Sequence, residues 1–103
     1  MVEISKADWK LFQERIGDWQ ERYMDRLNRE YIELLSGDGD PSEKFWALEK
    51  RIKEDRKKPG VELWLEKKNV GWDLVRLLKD GVITEDDLHG FSEALKKDVL
   101  RMA

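Results

Sequence analysis

The sequence predicts an all-α fold, a small bundle of about four helices built on one long N-terminal helix. Three observations predict it: apolar residues recur every three or four positions, capping residues precede three of the four periodic stretches, and glycine or proline separates the stretches. A chain of 103 residues has the usual size of one domain. We therefore expect a single helical domain over residues 1–103.

The longest periodic stretch runs from Ser5 to Ser36 and predicts the helix along which the others pack. Ser5 is a good N-cap, and Asp8 stands where it completes a capping box. Gly37 is placed to end the helix in a left-handed conformation. Gly17 predicts close packing of another helix, with a functional bend as the alternative. The stripe expected to face the core is Trp9, Phe12, Ile16, Trp19, Tyr23, Leu27, Tyr31 and Leu34.

A second helix is expected to begin after Asp40, which caps it, with Pro41 at the first helical position and Glu43 completing a box. We expect it to continue to Lys58. The same acidic segment has an imperfect calcium-loop spacing, and capping explains it better. The apolar face of this helix is Phe45, Leu48 and Ile52, with Trp46 at its edge.

Two further helices follow. The stretch from Val61 to Lys79 is apolar almost all round and favours one continuous helix, with a break near Asn69 as the alternative. Thr84 and Asp87 form a capping box that predicts the start of the last helix. Its expected core stripe is Leu88, Phe91, Leu95, Val99 and Met102.

The segment Leu77–Leu88, followed by Leu95-Lys96-Lys97, resembles SHOCT domains. In these short hairpins a helix, a Gly-Ile-Thr turn and an acidic-capped helix form a compact unit. The resemblance implies oligomerisation or docking. The chain as a whole resembles small all-helical bacterial proteins, which implies a helical fold and no activity.

The reactive side chains do not favour catalysis. His89 is the only histidine, and there is no cysteine. The serines lie at caps, in turns or on a helix, without a nucleophile elbow. We therefore expect no enzyme, no metal, no cofactor and no small-molecule ligand. The net charge of -3 and the lack of an apolar run of about 20 residues do not favour a membrane partner, and the lack of cysteine fits the cytoplasm.

Two functions remain, and they use different surfaces. Five tryptophans are more than a four-helix core readily buries, which favours a protein-interaction or oligomerisation module. Trp46 and Trp64 are the candidates for the interface, unless all five belong to the core. The alternative is nucleic-acid binding, although acidic residues interrupt the basic patch and favour an ordinary solvated face. That patch is Lys50, Arg51, Lys53, Arg56, Lys57, Lys58, Lys67 and Lys68.

The length of the first helix bears on oligomeric state. A helix of about 31 residues spans roughly 45 Å, whereas a compact chain of this length is roughly 33 Å across. Part of the helix should therefore extend beyond its own bundle and expose apolar surface. We predict that a second copy covers this surface in a homodimer, with a monomer as the alternative.

Overall fold

The computed structural model describes all residues from 1 to 103 and contains four α-helices and no strand. The helices are α1 (Lys6–Ser36), α2 (Pro41–Asp55), α3 (Val70–Lys79) and α4 (Glu93–Met102). Two 3₁₀ turns, Lys67–Asn69 and Glu85–Leu88, precede α3 and α4. The predicted all-α bundle on a long N-terminal helix is confirmed.

One hydrophobic core joins the N-terminal part of α1 to α3, α4 and the link between them. From α1, five residues of the predicted stripe are buried, and Trp9 and Tyr31 pack partly against them. The buried apolar residues are Ile4, Phe12, Ile16, Trp19, Tyr23, Leu27, Val70, Leu74, Val75, Leu77, Val82, Ile83, Leu88, Phe91, Leu95 and Val99. The core therefore lies at one end of the long helix.

The C-terminal part of α1 instead pairs with α2. After a four-residue link, α2 runs antiparallel to α1, so that Leu35 lies near Phe45 and Tyr31 lies near Asp55. The molecule measures 52 × 23 × 22 Å. Its radius of gyration is 16.4 Å, against about 13 Å for a compact chain of 100 residues. The two helices thus form a hairpin that extends beyond the core.

Three expectations for α1 need correction. Ser5 does cap the helix, because its hydroxyl accepts from the Asp8 N–H at 3.1 Å, but the Asp8 carboxylate bonds to Ser92 instead of closing the box. Gly37 is extended (φ -72°, ψ 177°), not left-handed. Gly17 is exposed, and no other group lies within 4 Å of the position of a Cβ there. Close packing of another helix is therefore not the reason for this glycine.

The second helix begins as predicted at Pro41, but the side chain of Asp40 makes no capping hydrogen bond. The backbone carbonyl of Asp40 accepts from Lys44 instead, as in any first helical turn. The helix ends at Asp55, three residues before the predicted end at Lys58.

The favoured continuous helix from Val61 to Lys79 is wrong, because α3 begins only at Val70. Residues 62–66 are not helical. Val61 and Leu63 pack against the core, whereas Glu62 between them and Trp64 after them are exposed. This alternation is typical of an extended segment. Before it, Gly60 packs so closely on Tyr23 that a Cβ would lie 2.3 Å from the ring.

The start of the last helix is also corrected. Thr84 and Asp87 do pair, with the Thr84 N–H donating to the carboxylate at 2.8 Å, but they begin the 3₁₀ turn. Gly90 has a φ of +92°, so the chain leaves helical geometry there. Helix α4 then begins after Ser92, whose hydroxyl accepts from the Leu95 N–H. Of the predicted stripe, only Met102 is exposed.

Arginines on α1 hold the link between α3 and α4. Arg15 donates to the carbonyls of Asp87 and His89, Arg22 forms an ion pair with Asp87 at 2.9 Å, and Arg26 donates to the carbonyl of Gly81 at 3.0 Å. The link has little regular structure of its own, so these side chains supply partners for backbone groups that helices would otherwise pair internally.

Candidate protein-binding surface

The hairpin is held together at its inner end by a buried carboxylate. Asp55 is the only fully buried residue of α2. It accepts a hydrogen bond of 2.6 Å from the hydroxyl of Tyr31 on α1. Lys58 lies 3.2 Å away and Arg51 3.4 Å away, and Arg51 also pairs with Glu30 on α1. Polar contacts therefore join the two helices at the end of the hairpin nearest the core.

These contacts shift the ionisation of both partners. Burial alone raises the pKa of Asp55, but the hydrogen bonds from Tyr31 and Lys58 and the charge of Arg51 outweigh it, so that the pKa is lowered. Burial, together with the hydrogen bond to this carboxylate, raises the pKa of Tyr31 to about 12. The native pair is thus an ionised carboxylate and a neutral phenol, which suits a strong hydrogen bond.

From its inner end near Ile52 to its tip near Phe45, the hairpin exposes large apolar side chains. Ile32, Phe45 and Trp46 are each 63% exposed, and Leu35 and Ile52 are exposed by 44% and 40%. The rings of Phe45 and Trp46 meet edge to face with centroids 5.0 Å apart. We name this surface the hairpin face and define it by these five residues.

Helical spacing places Leu35, Phe45 and Ile52 on one side of the hairpin, where they line grooves. Ile32 and Trp46 each follow a residue of this side by one position, about 100° further round the helix, so they flank it. On α1, Leu35 follows Tyr31 by four positions, and Ile32 neighbours Leu35 at a spacing of three. On α2, Phe45 and Ile52 are one heptad apart. Two grooves lie along this side. One of about 420 Å³ is lined by Leu35, Pro41, Lys44, Phe45 and Leu48. The other, of about 260 Å³, is lined by Met24, Leu27, Asn28, Tyr31, Ile52, Asp55, Arg56 and Val61.

The two tryptophans predicted to be exposed are both exposed. Trp46 belongs to the hairpin face, whereas Trp64, 81% exposed, lies on the extended segment before α3, where its indole N–H donates to Glu66. They share no groove and no aromatic contact. Trp72 on α3 is also 48% exposed, so the alternative in which all five tryptophans form the core is wrong. A role of Trp46 and Trp64 in binding stays a prediction.

Sequence reasoning identified only part of the hairpin face. The periodicity places Phe45 and Ile52 on an apolar face, but it does not indicate that α2 has only one neighbouring helix. Ile32 was not assigned at all, because it lies outside the main stripe. The available signal was its position three residues before Leu35, which makes a second, shorter apolar edge at the end of α1.

Half of the cations in the predicted basic patch are paired with carboxylates within the chain. Arg51 pairs with Glu30 and Asp55, and Lys58 also pairs with Asp55. Lys53 pairs with Glu49, and Lys68 with Glu66. The cations outside any ion pair are Lys50, Arg56, Lys57 and Lys67. Carboxylates among the cations reduce the attraction that a phosphate backbone would feel.

No group of three or more acidic or histidine side chains is arranged to hold a metal ion. None of the helices combines the length and the hydropathy that crossing a lipid bilayer requires. Comparison with protein-family models, curated proteins and solved structures gives no match to this chain. Any function must therefore be argued from the surface itself.

Proposed function

We propose that this protein is a non-enzymatic protein-interaction module that binds through the hairpin face. The observation that carries the proposal is the exposure of five large apolar side chains on a protruding hairpin, three of them on one side and two flanking it. Single exposed apolar residues are normal on any protein. A continuous surface that includes two aromatic rings in contact is different, because such patches usually mark binding sites.

The packing of α2 supports the same proposal. None of its apolar residues is fully buried, although it carries Phe45, Trp46, Leu48 and Ile52. Intramolecular burial therefore contributes little to holding these large side chains in place. A partner that covers them would remove apolar surface from water at about 25 cal/mol per Å².

Site-specific photo-cross-linking in cells that make the protein tests the proposal. A photoreactive phenylalanine analogue replaces Trp46, and a control carries it at Glu14, an exposed position on the part of α1 that packs in the core. We expect discrete protein adducts from position 46 and none from position 14. The adducts from position 46 should disappear when Phe45→Glu is added. Absence of adducts at 46, or the same adducts from both positions, would contradict the proposal.

A further inference from the structure

Resting on the proposed function, we infer that the partner of the hairpin face is a second copy of this chain. Two hairpins pack face to face about a two-fold axis and form a four-helix bundle, with the tip of each hairpin against the inner end of the other. A two-helix layer that is apolar on one side is half of such a bundle. A two-fold axis brings the same surface of both copies together, so the hairpin face of one copy binds the hairpin face of the other.

The shape of the hairpin face fits this arrangement. Its projecting rings, Phe45 and Trp46, lie near the tip, while the groove lined by Tyr31 and Ile52 lies at the inner end. An antiparallel pairing places the rings of one copy over that groove of the other. The groove measures about 260 Å³. An apolar cavity of about 150 Å³ can hold benzene, so there is room for a phenyl ring.

The area of the hairpin face matches what a stable dimer needs. Scaled by their exposed fractions, the two aromatic and three aliphatic side chains offer roughly 500 Å² of apolar surface. A standard interface buries about 800 Å² on each partner. About 57–65% of that area is apolar, which is roughly 450–520 Å². The hairpin face therefore supplies the apolar part of such an interface when the second copy also covers the flanking side chains of Ile32 and Trp46.

The surrounding charges do not oppose association of two identical surfaces. Arg29 pairs with Asp25 at 2.9 Å, and Lys53 pairs with Glu49 at 2.8 Å, so charges flanking the hairpin face are compensated within each copy. The net charge of -3 produces only weak repulsion between two chains. Because charges of both signs surround the hairpin face, its electrostatic field does not favour a highly charged partner.

Sedimentation of the purified full chain over a dilution series tests the inference. We expect the mass to rise from 12.3 kDa to twice that value between micromolar and near-millimolar concentration. Phe45→Glu should remain at the mass of one chain. Trp64→Glu, which adds the same charge at an exposed aromatic residue off the hairpin face, should dimerise like the wild type. Both residues are exposed, and circular dichroism verifies that each variant keeps its helices.

The outcomes separate this inference from the proposed function. If the chain has the mass of a monomer at every concentration while Trp46 still cross-links to a different protein, the homodimer is overturned and the interaction module stands. If no adduct forms at Trp46, the proposed function fails as well. A dimer that survives Phe45→Glu uses another surface and also overturns the inference.

Disulfide trapping tests the antiparallel arrangement, because the chain has no cysteine of its own. Glu49 lies near the middle of α2 and Glu43 lies near the tip. Glu49→Cys is near the two-fold axis, so two copies should cross-link under oxidation. Glu43→Cys should not, since the tips lie at opposite ends of the bundle. Efficient trapping at Glu43 and none at Glu49 would overturn the arrangement.

Discussion

The carboxylate of Asp8 accepts two hydrogen bonds from Ser92, one from its backbone N–H at 2.9 Å and one from its hydroxyl at 2.7 Å. The Ser92 hydroxyl in turn accepts from the Leu95 N–H at 3.3 Å. Asp8 is only 3% exposed. The first turn of α1 therefore holds the first turn of α4, and one side chain links the two ends of the chain.

Replacing this carboxylate should destabilise the fold. Asp8→Ala removes a buried carboxylate together with both of its hydrogen bonds to Ser92, which we expect to cost about 2–3 kcal/mol of unfolding free energy. Asp18→Ala, at an exposed position on the same helix, should change it by less than about 0.5 kcal/mol. Urea unfolding followed by circular dichroism measures both. Equal midpoints for the two variants would show that the link to Ser92 carries no stability.

Gly17 offers a substitution in the opposite direction. It lies in the interior of α1, it is exposed, and a Cβ would meet no other group within 4 Å. Gly17→Ala should therefore stabilise the protein by about 0.5–1 kcal/mol, through helix propensity and a less flexible unfolded chain. Thermal and urea unfolding give the sign directly. A lower midpoint would show that α1 needs the flexibility of glycine at this point.

The docking of α4 on the core predicts a cavity effect. Leu95 is 1% exposed, whereas Leu100 on the same helix is 39% exposed. Leu95→Ala should cost about 2–5 kcal/mol, because it removes buried methyl groups and leaves a cavity. Leu100→Ala is the matched control, and we expect a loss of less than about 1 kcal/mol. If both variants unfold at the wild-type urea concentration, α4 is not docked as the structure shows.

Asp73 on α3 predicts a dependence of stability on pH. It is buried, its Oδ2 has no hydrogen-bond partner, and Arg76 lies 3.9 Å from Oδ1. Burial raises the pKa of Asp73 to about 6, against the weaker opposing effect of Arg76. The folded state thus holds the proton more tightly than the unfolded state. The stability that the protonated Asp73 carboxyl contributes is complete below pH ~4 and is lost as the pH rises through about 6.

Asp73→Asn removes the charge and keeps the shape of the side chain. At pH ~7.5 we expect the variant to be more stable than the wild type by about 1–3 kcal/mol, since no charge has to be buried. The advantage should be much smaller near pH ~4, where the wild-type carboxyl is protonated in the folded state and about half protonated in the unfolded state. Urea unfolding at the two pH values measures the difference. The same difference at both would mean that the ionisation of Asp73 is not involved.

The features predicted well from sequence are those that neighbouring residues determine. The stripe from Trp9 to Leu27 and the cap at Ser5 lie within one helix, so periodicity and capping were enough to find α1. The capping box predicted for Asp8 does not form, because Ser92, 84 residues away in the sequence, donates to the same carboxylate. The prediction of a helix over the extended segment before α3 failed because Val61, Trp64 and Leu65, at spacings of three and four, also fit the face of a helix.

The candidate surface also combines features that local sequence determines with features that depend on distant residues. Trp46 was placed at the edge of an apolar face by its position alone, and it is exposed. Phe45 and Ile52 were placed on that face correctly, but periodicity states which residues share a side and not what covers that side. That α2 would meet only α1 depends on where the core forms along the long helix. Such tertiary information is absent from any local pattern.

The contact between Tyr31 and Asp55 gives a prediction specific to the hairpin. Tyr31→Phe removes the 2.6 Å hydrogen bond to a buried carboxylate, and we expect it to cost about 1–2 kcal/mol. Because α2 is held mainly by α1, the loss should appear as faster hydrogen exchange of the α2 amides, with those of α3 unchanged. Exchange followed by mass spectrometry resolves the two helices. Uniform loss of protection in both would show that the hairpin does not open independently.

The ionisation of Tyr31 supplies an independent measurement of the same contact. The pKa of its phenol is raised to about 12, so its hydrogen bond is complete below pH ~10 and is lost as the pH rises through about 12. Ultraviolet absorbance during an alkaline titration should show a phenolate step near 12 that is missing in Tyr31→Phe. Tyr23→Phe is the control, because the Tyr23 hydroxyl takes part in none of the side-chain hydrogen bonds, and the late step should persist. Retention of that step in Tyr31→Phe would assign it to another group and remove the support for a neutral phenol bonded to Asp55.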